Sequence, residues 1–345
     1  MQRSRAVWLR DGINRQVSHN SNTIGLADAL SAYFRGARGA GLPPPEPESF
    51  ADRFVRCYGE IRALCVRASD PGLALVAVDE RGVAAASLLA ARPGRITAAV
   101  VGRHNMAELY LPGDPTLSLR HALVLLHPLG GDVRFRLLDL RTSGAFRDEQ
   151  GRRLEALEAE GPVIVGCARY SFFLLPVGGE LDWPESALDA WHCIPERIYL
   201  RDVDAEPDRW QRRRLRRNAV RPLTGPATAR ERMVADGEHP VGELRLDSRR
   251  GHGALLVGPS ALDEGVLLGR APRCDASGLG VLANDRISRV HALVVRIAGE
   301  VYAVDVASTQ GLWLDGQRVT LAPLGDGTTL EMDSAGTRLQ WRLLN

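Results

Sequence analysis

There is no lysine in this chain; all 44 basic residues are arginine. A phosphate-cradling P-loop needs a lysine and a Schiff-base enzyme needs its amine, so both chemistries are excluded. Cysteine is sparse as well. Cys57, Cys65, Cys167, Cys193 and Cys274 are an odd number without a C-x-x-C pair, which predicts reduced thiols rather than a disulfide framework. The eight histidines are scattered, H-E-x-x-H is missing and His192-Cys193 stands alone, so neither a metal nor a cofactor is expected. No stretch reaches the ~18 to 20 apolar residues that span a bilayer. The opening MQRSRAVWLRDGINRQ has no apolar run of the signal-peptide kind, and the expected location is cytoplasmic, away from membranes.

What is present fits a soluble globular protein of more than one domain. The chain has 345 residues, 45% of them hydrophobic and 25% charged, with a formal charge of +2. Residues 1–72 form an N-terminal region with one or two helices: a short one over Ile24 to Arg35, then a better one from Ser49. There Phe50, Phe54, Cys57, Ile61, Leu64 and Cys65 recur at helical spacing behind Ser49 as N-cap. From Leu73 the texture changes to short strand-like runs such as LALVAV, ALVLLH and VRFRLLDL divided by PG, GD and GG turns, and it returns from Val241. The expected fold is mainly β, with sandwiches at 73–177 and 241–345.

Between them, residues 178–240 read as a charged linker. Glu180 to Asp208 carries nine acidic residues and two arginines, and Arg209 to Arg221 carries seven arginines and no acid. As a patch, this run would grip a phosphate backbone or a membrane surface, with Trp210 stacking on a base. As a solvated linker it is balanced by the acids before it, and this reading is favoured because those acids would screen it from polyanions.

One three-part pattern occurs twice. Gly102-Arg103, Ser118-Leu119-Arg120-His121 and Asp139-Leu140-Arg141-Thr142-Ser143-Gly144 are answered, about 166 to 170 residues later, by Gly269-Arg270, Ser288-Arg289-Val290-His291 and Asp305-Val306-Ala307-Ser308-Thr309-Gln310-Gly311. A constellation repeated in order at that distance marks two related domains. Ser288, His291 and Asp305 invite comparison with a hydrolase triad. Their chain order matches none of the familiar ones and no G-x-S-x-G elbow is present, so an enzyme is not expected.

The pattern resembles the forkhead-associated (FHA) family, β-sandwich modules that recognise phosphothreonine in partner proteins, and the second copy is closer to it than the first. The resemblance implies two FHA-like sandwiches in tandem. A phosphothreonine carries ≈ −1.5 to −2 charge and three acceptor oxygens, so its receptor needs guanidinium, hydroxyl and backbone N–H donors on rigid loops. By that resemblance Arg270, Ser288, Arg289, Thr309 and Gln310 face the phosphopeptide in the second copy, and Arg103, Ser118, Arg120, Thr142 and Ser143 in the first. Gly102, His121, Gly144, Gly269, His291 and Gly311 hold the loops. Thr142 and Thr309 also suit ordinary turns.

The copies depart from the family in three places. Gln310 and Ser143 stand where the family has asparagine, and Leu119 stands where the second copy has Arg289, with Arg120 and Arg141 near enough to supply the charge. The resulting expectation is an adaptor, not an enzyme, that binds threonine-phosphorylated proteins, a Ser/Thr kinase or its substrates among them, mainly through the second copy. A phosphate-independent scaffold and a nucleic-acid-associated regulator remain as alternatives.

Overall fold

The computed structural model describes residues 48–129, 132–179, 183–199, 218–223 and 233–344. The helix expected at Ile24 to Arg35 and the run Arg209 to Arg217 lie outside them. The described residues form one compact unit. The protein is mainly β, as two sandwiches, in agreement with the pattern of short apolar runs.

The first sandwich builds one sheet in the order Gly82–Ala90, Gly72–Asp79, Tyr170–Val177, Val163–Cys167, Phe146–Arg147, Arg153–Leu154. Its second sheet runs Ile198–Tyr199, Ala219–Pro222, Ala156–Ala159, Asp132–Asp139, Ala122–Leu129, Thr97–Gly102, Leu109–Tyr110. In the second sandwich the sheets are Gly251–Val257, Gly242–Ser248, Arg338–Leu343, Thr329–Glu331, Leu312–Leu314, Gln317–Val319 and, facing it, Val266–Leu268, Ala292–Ile297, Glu300–Asp305, Leu321–Pro323.

The strand Gly72–Asp79 is buried along its whole length because both of its faces are covered. Leu73, Leu75 and Ala77 point into the sandwich, while Ala74, Val76 and Val78 lie under the helix Phe50–Val66. That helix starts where expected. The Ser49 hydroxyl accepts from Asp52 N–H at 3.1 Å and the Asp52 carboxylate accepts from Ser49 N–H at 3.2 Å, a reciprocal cap. It buries Phe54, Cys57, Tyr58, Ile61 and Cys65 against its own sheet.

Parts of the segment expected as a linker are built into the first sandwich. The helix Ala187–Cys193 packs Ala190 and Trp191 on Phe54, and the strand Ala219–Pro222 extends the second sheet through Val220 beside Ala159. A single acidic-then-basic charge pattern hides these short apolar anchors.

A further buried cluster joins the two sandwiches. The strand Ala122–Leu129 turns Ala122, Val124 and Leu126 into its own sandwich and Leu123 and Leu125 outward. Its counterpart Ala292–Ile297 does the same with Ala292 and Val294 inward, and Leu293, Val295 and Ile297 outward. The outward sets meet in a seam to which both copies contribute the same positions: Val100 and Leu267, Leu123 and Leu293, Leu125 and Val295, Leu138 and Val304, Leu140 and Val306. At about 1.5 to 3 kcal/mol for each side chain fully buried, such a seam holds two sandwiches firmly. Among the described residues no helix is long and apolar enough to cross a membrane.

Candidate functional site

In both copies the glycine before the arginine permits a close approach. A Cβ on Gly102 would collide with the carbonyl of Leu119, and one on Gly269 with the carbonyl of Arg289. The following residues knit the two loops together. Arg270 N–H donates to Ser288 O at 3.2 Å and Ala271 N–H to Arg289 O at 2.9 Å, mirrored by Arg103 N–H to Ser118 O at 3.1 Å and His104 N–H to Leu119 O at 2.9 Å. The guanidiniums are aligned by the same device, with Arg270 Nε on Ile287 O at 3.0 Å and Arg103 Nε on Leu117 O at 2.6 Å.

The histidines brace the loops from inside. His291 Nδ1 accepts from Ser288 N–H at 3.2 Å, which leaves Nε2 as donor to Gly311 O at 3.1 Å, so one ring ties the Ser288 loop to the facing loop at 305–311. Burial depresses its pKa and keeps the ring neutral. His121 Nδ1 likewise accepts from Ser118 N–H at 3.3 Å, and burial pushes its pKa down to about 4. Its Nε2 lies 3.1 Å from Cys167 Sγ, whose thiol donates to Gly144 O at 3.0 Å and is pushed up to about 12, mainly by burial.

This geometry disposes of the triad comparison. His291 contacts the backbone of Ser288 rather than its hydroxyl, and Asp305 accepts from Ser308 N–H at 2.9 Å.

The second copy assembles its expected ligand-facing groups. Ser288 Oγ accepts from Thr309 N–H at 3.0 Å and lies 3.4 Å from Thr309 Oγ1, joining the two loops across the site. Arg270, Arg289 and Thr309 are exposed, and Gln310 is half-buried. Neither Arg270 nor Arg289 pairs with a carboxylate among the described residues. Sequence reasoning passed over Arg318, whose Nη2 donates to Ser308 O at 3.2 Å and supports the same loop from behind. Its only signal is a strand position 10 residues after Ser308.

The first copy is arranged differently. Asp139 and Asp305 each accept from the N–H three residues on, which are Thr142 and Ser308. Thr142 therefore stands in the place of Ser308, not Thr309, because the loop from Asp139 to Gly144 is one residue shorter. It is buried, with its hydroxyl donating to Asp139 at 2.6 Å, and Ser143 alone is exposed at the loop tip.

Arg120 also departs from expectation. The residue is 6% exposed, and its guanidinium donates to Val306 O at 2.6 Å and Ala307 O at 3.0 Å in the second sandwich. Arg141 pairs with Asp275 at 2.9 Å. Neither replaces the missing charge at Leu119. Ser118 Oγ instead accepts from Arg273 Nη1 of the second sandwich at 3.2 Å. Burial lowers the pKa of Arg273, with Arg289 adding to the effect and Cys274 and Asp139 opposing it.

The FHA domain family model matches residues 266–333, which span Arg270 to Gly311. Solved structures similar to the chain include the FHA-1 domain of Rv1747 from Mycobacterium tuberculosis, at 24% identity over 30% of this chain and 99% of that one, with a TM-score of 0.25. The FHA domain of CT664 from Chlamydia trachomatis is 17% identical over 30% of this chain and 99% of that one, with a TM-score of 0.26. The FhaA FHA domain, solved with the intracellular domain of Rv3910, is 19% identical over 29% of this chain and 99% of that one, with a TM-score of 0.24. No curated protein matches the chain.

Proposed function

We propose that the chain is an adaptor that binds threonine-phosphorylated proteins through the second sandwich, in the service of a Ser/Thr kinase. The observation that carries this reading is the pair of exposed arginines, Arg270 and Arg289, without a carboxylate partner among the described residues, set beside a hydroxyl and two loops locked together through Ser288, Thr309 and His291. Positive charge held on rigid loops, with hydroxyl and backbone donors between, is what a phosphate dianion requires. The FHA match over the same residues supports it. An FHA domain is an interaction module, and the arrangement offers no activated nucleophile. The first copy is read as a diverged sandwich of the same kind.

The test is titration of the full chain with a phosphothreonine peptide pool and its unphosphorylated twin, followed by fluorescence anisotropy. Arg270→Ala and Ser288→Ala each remove a donor worth ~1.5 to 3 kcal/mol to a charged ligand, so binding weakens about tenfold or more. Equal affinity for both peptide pools sinks the reading and favours a scaffold that ignores phosphate.

A further inference from the structure

The two copies touch at the ends that carry their motifs, and the polar contacts there are one-sided. Arg120 has Val290 as its counterpart, and Arg273 has Met106, so neither tie has a mirror image. Arg120 reaches out of the first copy's loop, donating through Nε to Val306 O and Ala307 O and through Nη2 again to Ala307 O. Those carbonyls open the stretch that continues into Ser308, Thr309 and Gln310. Ala307 itself lies at φ 56°, the left-handed conformation that Arg141, at φ 55°, takes at the same position of the first copy's turn. What the second copy's turn has in addition is the charge-assisted bonds of a buried guanidinium to its carbonyls.

In the opposite direction Arg273 closes the first copy's site. Its Nη1 donates to Ser118 Oγ at 3.2 Å and its Nη2 to Arg120 O at 3.2 Å. The hydroxyl that would meet a phosphate in the first copy thus has a guanidinium of the second sandwich lying against it. Arg141 adds a third tie, to Asp275 at 2.9 Å and Gly265 O at 3.2 Å.

The geometry points to a single reading site built by both copies: Arg120 of the first is a positioning residue that holds the facing loop of the second, while the first copy's own site is closed by Arg273. This rests on the phosphothreonine reading above for its ligand, but not for the loop. One chain then takes one phosphopeptide.

The full chain is compared with Arg120→Gln and the milder Arg120→Lys, and with Arg136→Gln as a control elsewhere on the seam, where Arg136 Nη1 donates to Arg296 O at 2.6 Å. Amide hydrogen exchange at 306–311 and binding of the phosphothreonine pool are read together. Arg120→Gln is expected to speed exchange at Ser308, Thr309 and Gly311 and to weaken peptide binding about tenfold, with Arg120→Lys between it and the wild type. Arg136→Gln changes neither, and the wild type saturates at one peptide per chain. Unchanged exchange in Arg120→Gln, equal effects from Arg136→Gln, or two peptides per chain would overturn the inference. A wild type that takes no phosphopeptide, together with a loop freed by Arg120→Gln, confirms the positioning and overturns the phosphothreonine reading alone.

Discussion

At the second copy's motif Arg270 and Arg289 stand exposed; at the first, Arg120 is buried in the seam and Ser118 is held by Arg273. The frames around these groups are nonetheless alike, with the same glycine collision, the same histidine bond to the serine N–H and the same aspartate turn. Residues that hold the loops recur in both copies, as do the first arginine and the serine of the ligand-facing set, while the other residues that would face a ligand differ. Shared architecture at a site is therefore no measure of shared binding, because accessibility is decided one layer further out.

The largest expected effect tests the shared frame. Gly102→Ala and Gly269→Ala both drive a methyl into a backbone carbonyl that has no room to withdraw, so each should cost about 3 kcal/mol or more in urea unfolding. A much smaller loss at Gly102 would break the comparison, showing that the first copy had relaxed its frame along with its site.

Acid should separate the copies next. His127, in the first sandwich, is held at about 4, chiefly by burial, and its counterpart in the second is Ile297, which does not titrate. The unfolded chain protonates its histidine near 6.5 while the folded one resists until about 4, so between those values the unfolded state binds more protons and stability falls as pH falls. The contribution is roughly 3 kcal/mol across that window. His121, at about 4, adds to the slope, but burial depresses its counterpart His291 as well, so His127 alone separates the copies. Denaturant midpoints measured from pH 7 to pH 4 should drop steeply, and His127→Ile, borrowing the second copy's residue, should flatten the curve.

The smallest effect sharpens the contrast between the sites. Ser118→Ala deletes one bond from Arg273 and should cost about 1 kcal/mol of stability while leaving phosphopeptide affinity unchanged. Isothermal titration of that variant beside Ser288→Ala would show whether loss of the same residue type has opposite consequences at the two ends.

Much of this was legible in the residues. The repeated pattern located both frames, and the spacing from Phe54 to Cys65 located the helix and its buried face. The seam was missed, although a trace of it was present. ALVLL and ALVV do not alternate polar with apolar, and strands covered on both faces read in this way. Taken as ordinary sandwich strands, they left the second covering unexplained. Arg120 was misplaced because adjacent residues on a loop point in different directions, and Thr142 because a one-residue deletion shifts every comparison after Asp139. Arg273 lies only three residues beyond Arg270, yet its partner is 155 positions away in the chain. Long-range pairing of that kind leaves no local signature.

The seam has the composition of a two-fold homodimer interface, with matching positions supplied from each side. In a dimer of separate chains its occupancy would follow protein concentration, whereas tethering makes it indifferent to dilution. Separate identical subunits must also carry every substitution twice. A fused pair escapes both constraints, so one half is free to give up its ligand and become a permanent, stoichiometric subunit of the other.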